Sequence, residues 1–228
     1  MCRINLSVPA IFVLFVLGGV PDAGATTLTF TNSSSFDAAT SGLSTQTFTG
    51  VAASLDVGPS GVAEVTNPLN STTNSAMLPG LTIDATSGDI AIEGPGYEFS
   101  TTYDVLGNDS GTGLDFVFSP SVTAASLNVK TANNSANVDI AVYDPSDVLL
   151  GSFVVPNAPV TAGEFWGITV SGDTIGSIDI IAPNAAFTEA DQVQFGSAVS
   201  VIPEPSSLWL LGTGLLGIIG AARPKARV

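Results

Sequence analysis

Oxygen-bearing side chains crowd the stretch 104–115: Asp104, Asn108, Asp109 and Asp115, interrupted by Gly107, Gly111 and Gly113. Calcium takes about six to eight oxygen ligands from flexible loops, so this composition suits a structural calcium, and no other cofactor is indicated. The spacing is not that of an EF-hand loop, and the competing interpretation is an acidic surface loop. Asp144 with Asp147, and Glu189 with Asp191, read as turn formers and solvated charges. Paired carboxylates can cleave glycosides without histidine. However, residues 26–202 contain no arginine and one lysine, Lys130, so the usual cationic stabilisers of a charged transition state are missing. A non-enzyme is expected, with no catalytic residue assigned and a secreted glycan-active enzyme as the remote alternative. Trp166 and Tyr97 or Tyr143 have the flat rings that stack on sugars, although aromatics in strands are more often core.

Two absences narrow the chemistry further. The chain has no histidine, and its single cysteine is Cys2. Cysteine nucleophiles, Ser-His-Asp triads and the common zinc and copper ligand sets are thereby removed, as is any disulfide within a chain that loses its N-terminus. Between residues 26 and 202 there are 18 acidic side chains against Lys130, a net charge of −17. Such a field repels nucleic acid, whose binding needs Lys and Arg against phosphate, and it keeps an exported domain soluble. Asn32, Asn70, Asn108 and Asn133 fit the N-x-[ST] acceptor pattern, which arises by chance in so Asn- and Ser-rich a chain.

The elements that must carry these residues are strands. Apolar and polar residues alternate at 114–118, 127–130 and 138–143, the signature of half-buried strands. Further strands are expected at 151–155, 165–170, 177–181 and 192–195, and weaker ones at 81–83, 90–92 and 97–102. Turn chemistry separates them at Ser119-Pro120-Ser121, Asn133-Asn134-Ser135, Asp144-Pro145-Ser146-Asp147, Ser171-Gly172-Asp173 and Pro183-Asn184. One helical turn is expected within 34–40. Many short strands without helical periodicity predict an all-β fold, an antiparallel β-sandwich or jelly-roll-like ectodomain over 26–200, with no internal repeat.

Both ends are apolar. Arg3, an apolar run over 8–20 and the sequence Ala23-Gly24-Ala25 make residues 1–25 a secretory signal peptide. Signal peptidase is thus an expected partner, with Ala23 and Ala25 at its site and Thr26 as the mature N-terminus. At the other end, Pro203-Glu204-Pro205 precedes an apolar stretch over 208–222 and a basic cluster of Arg223, Lys225 and Arg227. As a helix that stretch covers roughly 22 Å, short of the roughly 30 Å hydrocarbon core. With interfacial Trp209 and the preceding serines it makes a thin transmembrane span over about 206–222. The positive-inside rule keeps the basic cluster in the cytoplasm and sets the proline-bracketed acid outside. Two prolines fix φ and hold that segment extended, a form a protease cleft binds at low entropic cost.

Pro203-Glu204-Pro205, the run Ser-Ser-Leu-Trp-Leu-Leu-Gly-Thr-Gly-Leu-Leu-Gly and the basic terminus together resemble the PEP-CTERM sorting tail of Gram-negative bacteria. The resemblance spans residues 201–228, with Ile202 before the motif and Pro224 in the basic cluster as departures. It implies recognition by exosortase, an integral membrane cysteine protease-like enzyme, and association with exopolysaccharide and the cell surface. More loosely, Val142-Tyr143-Asp144, 149–153, 165–168 and 193–196 are similar to β-sandwich ectodomains found ahead of such tails. The expected protein is an exported cell-envelope or extracellular-matrix component, anchored in the inner membrane before processing and at the surface or released afterwards. A carbohydrate-binding module is the alternative.

Overall fold

A computed structural model describes residues 25–51, 62–86, 88–94, 105–108, 113–131, 137–156, 163–183 and 188–199. The predicted signal peptide, the tail with its span over 206–222, and the expected strand at 97–102 lie outside these residues. No helix among the described residues is long and apolar enough to cross a membrane.

Fourteen strands and one short helix occur among the described residues. One sheet runs β1 (Thr26–Phe30), β12 (Glu164–Ser171), β9 (Ala124–Thr131), β14 (Thr188–Ala198), β7 (Val105–Asn108), β6 (Ile90–Glu93), β3 (Val62–Val65), with β2 (Thr40–Gln46) also paired to β14. The second runs β11 (Leu149–Val155), β10 (Val138–Tyr143), β13 (Ile175–Ile181), β8 (Gly113–Val122), β5 (Leu81–Ala85), β4 (Leu69–Asn70). Every pairing is antiparallel. Two sheets closing on one core make the predicted sandwich.

Alternation in the sequence explains that core. Leu114 and Phe116, Ile140 and Val142, and Ile178 and Ile180 are buried from the six-stranded side. Ile90 and Ile92, Leu127 and Val129, and Trp166 and Ile168 are buried from the other. Each such side chain contributes roughly 1.5–3 kcal/mol by leaving water. The predicted helical turn is α1 (Ser33–Ala38), capped by Asn32, whose Oδ1 accepts from Ser35 N at 2.9 Å. It drives Phe36 onto Gly167 of β12, where a Cβ would come within 2.9 Å of the Phe36 ring. Phe30 and Phe165 flank that ring at centroid distances of 5.6 and 5.9 Å. The glycine is therefore the seat of the phenylalanine.

Ser119-Pro120-Ser121 is not the predicted turn, because β8 runs through it. Ser177 pairs with Val117 and Ile175 with Val122, so residues 118–121 form a bulge, the one place in a sheet interior where proline costs no ladder bond. The Asp144-Pro145-Ser146-Asp147 turn is as expected: Asp144 Oδ1 accepts from Ser146 N and Val148 N, both at 2.8 Å.

Candidate functional site

The outer face of the six-stranded sheet carries a row of carboxylates. Asp84, Asp115 and Asp179 each sit beside or between buried apolar residues, so the strand period sends all three carboxyls outward. Register then aligns them: Asp84 pairs with Asp115 across β5 and β8, and Asp115 with Asp179 across β8 and β13. The row continues into Ala141 and Ser152. Like charges directly opposite in a sheet repel, which favours the protonated form of the central carboxyl. Burial, then the hydrogen bond to Asp179, then the charges of Asp179, Asp84 and Asp147 push the Asp115 carboxyl up to about 7. When protonated, Asp115 can donate to Asp179, while its Oδ1 is sealed from solvent and has no hydrogen-bond partner.

Beside this row lies a groove of about 390 Å³. Small Ala141 forms its floor, Asp139, Asp179 and Ser152 supply polar atoms, and Val154 and Ile181 supply apolar walls. Tyr143 lies two residues along the same face, partly exposed, opposite Ser177 and Leu149. Such a surface accepts hydrogen bonds from hydroxyl groups and packs against C–H faces. The Asp115–Asp179 pair is no glycosidase pair: hydrogen-bonded carboxyls leave no space for the sugar and water that need about 5–9.5 Å between them.

The other predicted residues are dispersed. Asn108 is buried on β7 and its Nδ2 donates to the Gly113 carbonyl at 2.6 Å, whereas Asp115 projects outward from β8, so these two do not converge on a common ion. Asp104, Asp109 and Tyr97 lie outside the described residues. No group of three or more His, Cys, Asp and Glu side chains that could hold a metal ion occurs among the described residues. Trp166 is core, 4% exposed and 5.5 Å from the Phe153 ring, and cannot present itself to a sugar. Asn32 is a helix cap and Asn70 closes an Asx turn, its Oδ1 accepting from Thr72 N and Thr73 N.

Glu189 and Asp191 are not solvated charges. Both are 1% exposed. Glu189 faces Lys130 across β14 and β9, and Oε2 lies 3.3 Å from Nζ, with Lys130 fully buried. Gly107 makes room there: a Cβ on it would stand 3.4 Å from Glu93 Oε1 and 3.6 Å from Glu189 Cγ. The one cation among residues 26–202 is thus spent inside, and no basic side chain among the described residues offsets the carboxylates at the surface.

Residues 201–224 match the PEP-CTERM protein-sorting motif. No curated protein matches the chain. Among solved structures, two mutants of the family 29 carbohydrate-binding module CBM29-2 are similar at 12% and 11% identity. Each covers 63% of this chain and 98% or 97% of its own, with a TM-score of 0.34. A family 11 carbohydrate-binding module from Clostridium thermocellum, in complex with a β-1,3-1,4-mixed-linked tetrasaccharide, shares 11% identity. It covers 80% of this chain and 93% of its own at a TM-score of 0.26. Likeness at that level says nothing of ligand or role, and the sandwich stands on its own strand pairing.

Proposed function

We propose that this protein is exported, held in the inner membrane by a span over 206–222, and delivered to an exosortase through Pro203, Glu204 and Pro205. It then serves as a non-enzymatic component of the cell envelope or extracellular matrix. The match of residues 201–224 to the sorting motif carries this proposal. Signal peptidase cuts after Ala25, with Ala23 in its second small pocket, and leaves a chain that begins at Thr26, its ectodomain over 26–200 still joined to the tail. Arg223, Lys225 and Arg227 hold the tail's end in the cytoplasm, which leaves the motif at the outer face, where a membrane-bound protease reaches it. Alanine at 203, 204 and 205 tests the sorting role: the chain must then stay in the inner membrane with its tail attached.

A second role, carbohydrate binding, is favoured by the groove over Ala141 with its polar groups Asp139, Ser152 and Asp179. A surface this acidic repels uronates and sulfated sugars, so the ligand class is a neutral polysaccharide. Binding of the purified protein to a glycan array tests that role separately from sorting.

A further inference from the structure

We propose that β11 is an assembly edge, to which a second copy of this chain adds its own β11 antiparallel across a two-fold axis. Among the described residues Leu149–Val155 pairs with β10 alone and ends the six-stranded sheet. A strand so placed offers a row of backbone N–H and C=O groups to any other extended chain. Proteins usually blunt such edges with charge, proline or brevity. The sequence Leu-Leu-Gly-Ser-Phe-Val-Val has no charge and no proline, and it is seven residues long. Its large exposed side chains are apolar: Leu149 is 52% exposed and Val154 56%, with Val148 just before the strand at 58%.

The remaining edges are less inviting. At the opposite end of the same sheet, β4 has two residues, and in the other sheet β3 has four, including Glu64. β1 exposes a single large apolar side chain, Leu28. No large apolar residue of β2 is exposed.

Charge identifies the occupant as another copy. With −17 on residues 26–202, two copies repel one another unless they meet where neither presents a carboxylate. β11 escapes this. A two-fold axis at Ser152 puts Gly151 opposite Phe153 and Leu150 opposite Val154, uncharged against uncharged at every position. The carboxylates beside β11 are exposed Asp147, which the axis at Ser152 sets ten residues along the strand from its symmetry mate, and Asp139 of β10, which three strand spacings part from its own. At about 4.8 Å each, that is roughly 14 Å, beyond the Debye length of about 8 Å at physiological salt. The dimer closes on itself, as isologous contacts do, and joins two six-stranded sheets into one. This proposal is independent of the sorting tail.

Sedimentation equilibrium of the full chain in detergent, compared with Ser152→Lys and with the β3-edge control Val62→Lys, tests it. A lysine at 152 faces its own symmetry mate across the axis, so Ser152→Lys weakens self-association about tenfold or more, while Val62→Lys, which shares the same tail, associates as wild type does. Hydrogen exchange on the wild-type chain gives a second readout that needs no substitution. The β11 amides directed away from β10 are protected at dimeric concentrations and exchange on dilution. A wild-type chain that stays monomeric overturns the proposal. Equal association of both variants, or a dimer whose outward β11 amides exchange freely, overturns it too, as would a foreign protein strand seated on β11 in place of the second copy.

Discussion

Lys130 Nζ stands 3.3 Å from Glu189 Oε2 at directly opposed positions of β9 and β14, and neither side chain reaches water. Desolvating two charges costs more than most pairs return, so a buried pair is poor evidence of added stability, yet removing one partner leaves a naked charge inside. Lys130→Met is therefore expected to destabilise the fold by about 3–5 kcal/mol, read from the urea midpoint. Lys130→Met combined with Glu189→Leu is expected to recover part of that loss. Equal stability of the single variant and wild type would show that the pair is not sealed as described.

The row Asp84, Asp115, Asp179 gives a pH dependence of known sign. Folding raises the Asp115 carboxyl to about 7 from its ordinary value of 3.8, so between those limits the native state binds more protons than the unfolded one. Stability from this group is complete below about pH 4, declines as pH rises, and is lost above about pH 7. Asp115→Asn keeps a donor toward Asp179 without the charge. It is expected to flatten that decline and to exceed wild type by about 1 kcal/mol at pH 8, a figure already reduced for solvent screening. Thermal melts from pH 4 to 8 check it, and parallel curves for the two proteins would contradict it.

Carbohydrate binding in the groove makes a separate prediction. Ala141→Trp fills the floor between Asp139 and Asp179 and, facing outward, leaves the core alone. Loss of array binding with an unchanged melting temperature is expected. Retained binding would move the ligand elsewhere on the protein.

Strands whose two faces differ were legible in the sequence. Val138–Tyr143 alternates because Ile140 and Val142 enter the core while Asp139 meets water. β1 and β2 escaped notice because Thr-Thr-Leu-Thr-Phe and Thr-Ser-Gly-Leu-Ser-Thr-Gln bury little and carry few apolar residues. Glu189 and Asp191 read as solvated charges because nothing in a period-two pattern tells whether a sheet's outer face is covered. The acidic row was half visible: Leu114-Asp115-Phe116 and Ile178-Asp179-Ile180 announce outward carboxylates. That they stand in one line depends on register between strands far apart in the chain, which local pattern does not encode. The tail needed no fold at all, since its order of stiff motif, apolar span and basic end is written in consecutive residues.

The central claim is that residues 201–228 are an address removed by processing. Intact mass of the protein recovered from the outer surface, with wild type beside a chain carrying alanine at 203, 204 and 205, tests it most directly. Wild type is expected to lack the residues beyond the motif, and the variant to remain in the inner membrane with its C-terminus at Val228. If both proteins keep Val228 and occupy one location, the tail is a plain anchor and the sorting role is wrong.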